Sequence, residues 1–77
     1  MVCINKLKGK IVEKGFTVES LANAINISKA TMYRKIKDGG DTFSIEEAFL
    51  IARELKLTRE EINSIFFWLK YRINANI

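Results

Sequence analysis

Hydrophobic residues recur three and four apart along almost the whole chain, the spacing that lines one face of an α-helix. Ile4, Leu7 and Ile11 predict a first helix over Ile4 to Lys14, closed by Gly15, with Lys14 at the negative end of its dipole. Gly9 inside it costs about 1 kcal/mol against Ala unless another helix packs close. Phe16 is expected to plug the junction with the second helix. That helix follows a Thr17 cap and carries Leu21, Ala22 and Ile25 on one side. A third follows a Ser28 cap, with Met32 and Ile36 four apart. Asp38-Gly39-Gly40-Asp41-Thr42 reads as a helix stop and a loop. Ser44-Ile45-Glu46-Glu47 is a capping box that opens a fourth helix, whose inward face is expected to hold Ile45, Ala48, Phe49, Ala52 and Leu55. Thr58-Arg59-Glu60-Glu61 repeats the device. It opens a fifth helix, expected over about 59–73, whose stripe of Ile62, Ile65, Phe66, Leu69 and Ile73 closes the core. Phe67, Trp68 and Tyr71 fall on the opposite side of that helix. No stretch alternates as a strand does. The reading is all-α, five helices in a single domain over residues 1–77.

Only a short break around Asn26 separates the second helix from the third. Asn tolerates the left-handed backbone that a sharp turn between helices demands. Two short helices joined so tightly, over about 17–37, form a helix-turn-helix. Leu21, Ala22, Ile25, Asn26, Ile27, Ser28 and Met32 together resemble the helix-turn-helix of the phage repressor and Cro-like family, the Xre type. The resemblance covers Val18 to Ile36 and extends from Asn5 to about Phe66. Two residues depart from the family's usual pattern. Asn26 stands where Gly is usual, and Lys35 where an apolar residue is usual, with Ile36 taking over the apolar role. The resemblance implies a lambda-repressor-like DNA-binding domain. It also implies that Lys29, Ala30 and Arg34 read base edges and that Thr17 and Ser28 contact phosphates.

Helix geometry points to a similar set. The major groove is about 12 Å wide and accepts one α-helix, which must bury one side in its own domain. With Met32 and Ile36 inward, Ala30, Thr31, Arg34 and Lys37 point outward. Lys29 sits at the N-terminal tip, the end that usually enters the groove deepest. Arg34 can fork two hydrogen bonds to guanine, and Ala30 and Thr31 can touch a thymine methyl. Tyr33 and Lys35 lie on the flanks, where DNA backbone contacts are expected, together with Lys37 and with Thr42 at the far edge of the loop.

Charge sharpens this picture. The chain carries a formal +4, unevenly spread. Up to Lys37, eight basic residues face two acids, Glu13 and Glu19; from Asp38 onward, five face seven. The basic half is the half with the helix-turn-helix, as expected for a nucleic-acid face with an acidic back. There is no histidine, Cys3 is the lone cysteine, and the adjacent acids are explained as helix caps, so no catalytic residue, metal site, cofactor or small-molecule ligand is expected. No apolar run suits a membrane span or a signal peptide, and a cytoplasmic, nucleoid-associated protein is expected. The function expected is sequence-specific binding of double-stranded DNA in transcriptional control, of the phage or mobile-element repressor kind. A single helix-turn-helix reads few base pairs, so a homodimer is expected, with Phe67, Trp68 and Tyr71 as its interface. The alternative is a protein-interaction module, antitoxin-like or an adaptor, that uses the aromatic C-terminal face.

Overall fold

A computed structural model describes residues 2–67. Among them lie α1 (Ile4–Glu13), α2 (Val18–Ala24), α3 (Lys29–Lys37), α4 (Ile45–Glu54) and α5 (Arg59–Ile65), with no strand. The four hydroxyl caps expected from the sequence are in place. Thr17, Ser28, Ser44 and Thr58 each accept the N–H of the residue three positions on. Each satisfies a donor that the first helical turn leaves without a partner, and contributes about 1 kcal/mol.

The first four helices all end in the same way. The residue after the C-cap turns left-handed: Gly15 at φ 81°, Asn26 at 64°, Gly39 at 80° and Lys56 at 51°. The next N–H then reaches back to a helix carbonyl: Phe16 to Ile11, Ile27 to Ala22, Gly40 to Lys35 and Leu57 to Ala52. Three of the links thereby reduce to the C-cap and three further residues each. Gly15-Phe16-Thr17, Asn26-Ile27-Ser28 and Lys56-Leu57-Thr58 all run left-handed residue, apolar residue, hydroxyl cap. Phe16, Ile27 and Leu57 are partly buried and pack against the core.

The link from α3 to α4 is longer and is held from outside. Gly40, at φ 82°, lies against the N-terminal residue Val2, where an added Cβ would stand 2.7 Å from that of Val2. Only glycine fits that approach. Phe43 is buried and meets the ring of Phe66 edge-on, with centroids 6.4 Å apart and planes at 87°.

The core gathers Leu7 and Ile11 of α1, Leu21 and Ala22 of α2, Met32 and Ile36 of α3, and Ala48, Ile51 and Ala52 of α4. Ile25, Leu55, Ile65 and Phe66 complete it. Two expectations need correction. Phe49 is 45% exposed, whereas Ile51 is fully buried. The inward arc of α4 is centred on Ala48, Ile51, Ala52 and Leu55, which places Phe49 about 100° round the helix from Ala48. The fifth helix is not continuous through Phe66, whose φ −114° and ψ 63° lie outside the helical range. Leu69 and Ile73 lie outside the described residues.

α5 is tied to α1 by polar contacts as well as by packing. The Cys3 N–H donates to the Ile65 carbonyl at 2.8 Å, and the Lys6 ammonium donates to the Ser64 hydroxyl. Lys10 pairs with Glu61 and, at 3.1 Å, with Glu13. Glu61 also accepts the Thr58 N–H in its capping box. The Lys10 ammonium and then the Thr58 N–H hold the Glu61 carboxyl down to about 2, from the usual 4.5. The same contacts, Glu61 first and Glu13 second, raise the Lys10 pKa.

Candidate nucleic-acid interface

α2 and α3 pack against each other through Leu21, Ala22, Ile25 and Met32, which fixes the attitude of α3 in the domain. Asn26 supplies the left-handed turn between them, as its side chain suggested. Met32 and Ile36 are buried, so the rotation of α3 is the one expected from the sequence. Ala30, Arg34 and Lys37 are exposed, and Tyr33 is about half exposed at 49%. Neither Arg34 nor Lys37 makes an ion pair among the described residues. The outer side of α3 therefore presents two free cations, a methyl group and a phenol.

At the N-terminal end the capping groups and the first lysine converge. Thr17, Ser28 and Lys29 line one open depression together with Glu19, Ser20, Asn23 and Ile27. The Thr17 hydroxyl oxygen accepts the Ser20 N–H at 3.0 Å, so the cap holds this oxygen at the rim. Ser28 accepts the Thr31 N–H and donates its own proton to the Thr31 hydroxyl at 2.7 Å. That bond holds the half-buried Thr31 side chain against its cap. Lys29 is exposed and lies 3.8 Å from Glu19 on α2. An exposed pair at that distance is weak and leaves the ammonium able to reach outward. Nothing in the local spacing pointed to Glu19, which meets Lys29 only once the two helices are folded together.

Lys35 is the residue whose placement the sequence missed. It was expected at the flank, facing a DNA backbone, but its ammonium is turned into the domain. There it donates to the Thr42 carbonyl at 2.8 Å and pairs with Glu47 at 3.1 Å, both side chains being largely covered. It also stands 5.9 Å above the ring centroid of Phe43. Lys35 thus occupies the apolar position of the usual pattern by burying its stem and using its head to anchor the loop. Burial pushes the Glu47 carboxyl up, but the Ser44 N–H and Lys35 together outweigh it and leave the pKa lowered. Glu47 and Glu61 follow one scheme: each capping-box glutamate also receives a lysine from an earlier helix. The capping boxes were legible as caps. The lysine partners, twelve and fifty-one residues away, were not.

The other expected contacts fall as follows. Thr42 is exposed at the edge of the loop. Phe67 is 44% exposed. Trp68 and Tyr71 lie outside the described residues. Of the three lysines of α1, Lys6 and Lys10 are engaged with α5, so the basic character of the N-terminal half is only partly available to a ligand. Among the described residues no group of His, Cys, Asp and Glu could hold a metal ion, and no helix is long and apolar enough to cross a membrane.

A family model for the Cro/C1-type HTH DNA-binding domain matches residues 6–67. No curated protein matches the chain, and no solved structure does.

Proposed function

The chain belongs to the Cro/C1-type helix-turn-helix family of DNA-binding domains, and from that premise we propose a sequence-specific transcriptional regulator of the phage or mobile-element repressor kind. It acts as a homodimer on two half-sites. The observation that carries this reading is the outer side of α3, where Arg34 and Lys37 stand exposed and make no ion pair among the described residues. An arginine so placed can fork to the O6 and N7 of a guanine in the major groove. Lys29 and Ala30 join it as base contacts, and Thr31 serves through its methyl group while its hydroxyl is held by Ser28. Thr17, Ser28, Tyr33, Lys37 and Thr42 contact the backbone on either side. Lys35 drops out of that set, because its charge is already used within the domain.

The test is selection of bound duplexes from random DNA, followed by affinity measurements at several salt concentrations. The expected result is an enriched motif with two-fold symmetry and an affinity that falls steeply with salt. Failure to bind any duplex at low salt would replace this reading with that of a protein-interaction module.

A further inference from the structure

The outer face of α4 carries a feature that the recognition helix does not use. Glu46, Phe49, Leu50 and Arg53 line one shallow, mainly apolar depression. Phe49 is 45% exposed, although most of the large apolar residues among those described are covered. Leu50 beneath it is partly buried against the core. Glu46 and Arg53 are exposed and seven residues apart, so they lie on almost the same side of the helix, about 10 Å from one another. They bracket the apolar pair symmetrically, with the midpoint between Phe49 and Leu50.

From this pattern we infer that α4 docks antiparallel on α4 of a second copy of the chain. A two-fold axis through the midpoint sets Glu46 of each copy opposite Arg53 of the other and stacks the Phe49 and Leu50 pairs between them. Such an isologous contact needs a self-complementary patch, and the order acid, two apolar residues, base read along one helix is self-complementary. Arg53 is free enough for the role: its contact with Glu54 is 3.5 Å long and exposed. The seam also adjoins the DNA-reading element, since Glu47, next to Glu46, is bonded to Lys35 of α3. The inference rests on the homodimer part of the proposed function and moves its contact from Phe67, Trp68 and Tyr71 to α4. It does not depend on DNA binding.

The experiment is sedimentation equilibrium of the full chain without DNA, with helix content checked by circular dichroism. Wild type is expected to dimerise with a Kd on the order of tens of micromolar, given a patch this small. Glu46→Arg alone sets two arginine pairs across the axis, and Arg53→Glu alone sets two glutamate pairs. Each single variant is expected to weaken association roughly tenfold or more while keeping its helix content, since both residues are exposed. Mixed in equal amounts, the two variants place opposite charges together at both contacts and are expected to restore wild-type association as a heterodimer. A wild type that stays monomeric overturns both this inference and the homodimer reading. A dimer that persists in the single variants but is lost in Phe67→Ala with Trp68→Ala and Tyr71→Ala overturns the inference alone and returns the interface to the C-terminal aromatics.

Discussion

The two sides of α3 carry the same charge and put it to opposite uses. Lys35 and Lys37 are two residues apart, yet one ammonium is enclosed by Thr42, Glu47 and Phe43 while the other stands in solvent with Arg34. The difference follows from rotation. Met32 and Ile36 set the inward direction, Lys35 lies about 80° from their midpoint, and Lys37 and Arg34 lie beyond 110°. A lysine near the core edge buries its stem and finds an acid, and a lysine past it remains available to a polyanion. Formal charge is therefore a poor count of DNA contacts in a domain this small.

Mutations on the two sides are expected to separate cleanly, beginning with the inward face. Met32→Ala removes a fully buried side chain between α2 and α3 and should cost about 2–5 kcal/mol of stability, read from urea unfolding. Against a total stability of about 5–15 kcal/mol or less, that loss would melt much of the protein near body temperature. Arg34→Ala should leave the unfolding midpoint within about 0.5 kcal/mol of wild type. It should cost about 1–3 kcal/mol of affinity on the preferred duplex and relax selectivity at one position in each half-site. Equal weakening on every sequence would make Arg34 a backbone contact.

The lysine pair sharpens the contrast further. Lys35→Ala is expected to lose about 1–2 kcal/mol of stability, because the Thr42 carbonyl and the Glu47 carboxylate lose a charged donor. Its salt dependence of DNA binding should match wild type. Lys37→Ala should do the reverse, leaving stability unchanged and lowering the slope of log K against log salt by about one unit. If the two variants exchange these behaviours, the rotation assigned to α3 is wrong.

The smallest expected effects lie away from α3. Glu61 titrates in the folded chain at about 2 and in an unfolded one near 4.5. Its pairing with Lys10 therefore stabilises the domain fully above about pH 4.5, and this contribution is lost as pH falls toward 2. Glu61→Gln should flatten the stability profile over that window, measured by urea unfolding at each pH. Lys10 is shifted in the opposite sense, so its share is present below its usual 10.5 and is lost only as pH rises above that value.

What the sequence revealed and what it concealed divide along the range of the interactions. The caps at Thr17, Ser28, Ser44 and Thr58, the turn at Asn26 and the inward pair Met32 and Ile36 all depend on neighbours within four residues, and each was legible. Lys56 was not read as a turn residue, because lysine gives no hint of a left-handed φ of 51°. It takes that conformation because the flanking helices and the Leu57 N–H bond to Ala52 require it. Phe49 was misplaced by taking the row from Ile45 as the middle of the inward arc when it is the edge. Lys35, Glu19 and Val2 owe their roles to partners on other elements, and no local pattern names those partners.

The outer side of α3 is proposed to enter the major groove of duplex DNA. Guanine N7 methylation interference on the selected duplex, compared between wild type and Arg34→Ala, tests it most directly. The prediction is that methylating one guanine in each half-site blocks wild-type binding, and that Arg34→Ala is indifferent to methylation at that guanine. Wild-type binding unaffected by methylation at every guanine, or a variant that keeps the full interference pattern, would contradict it.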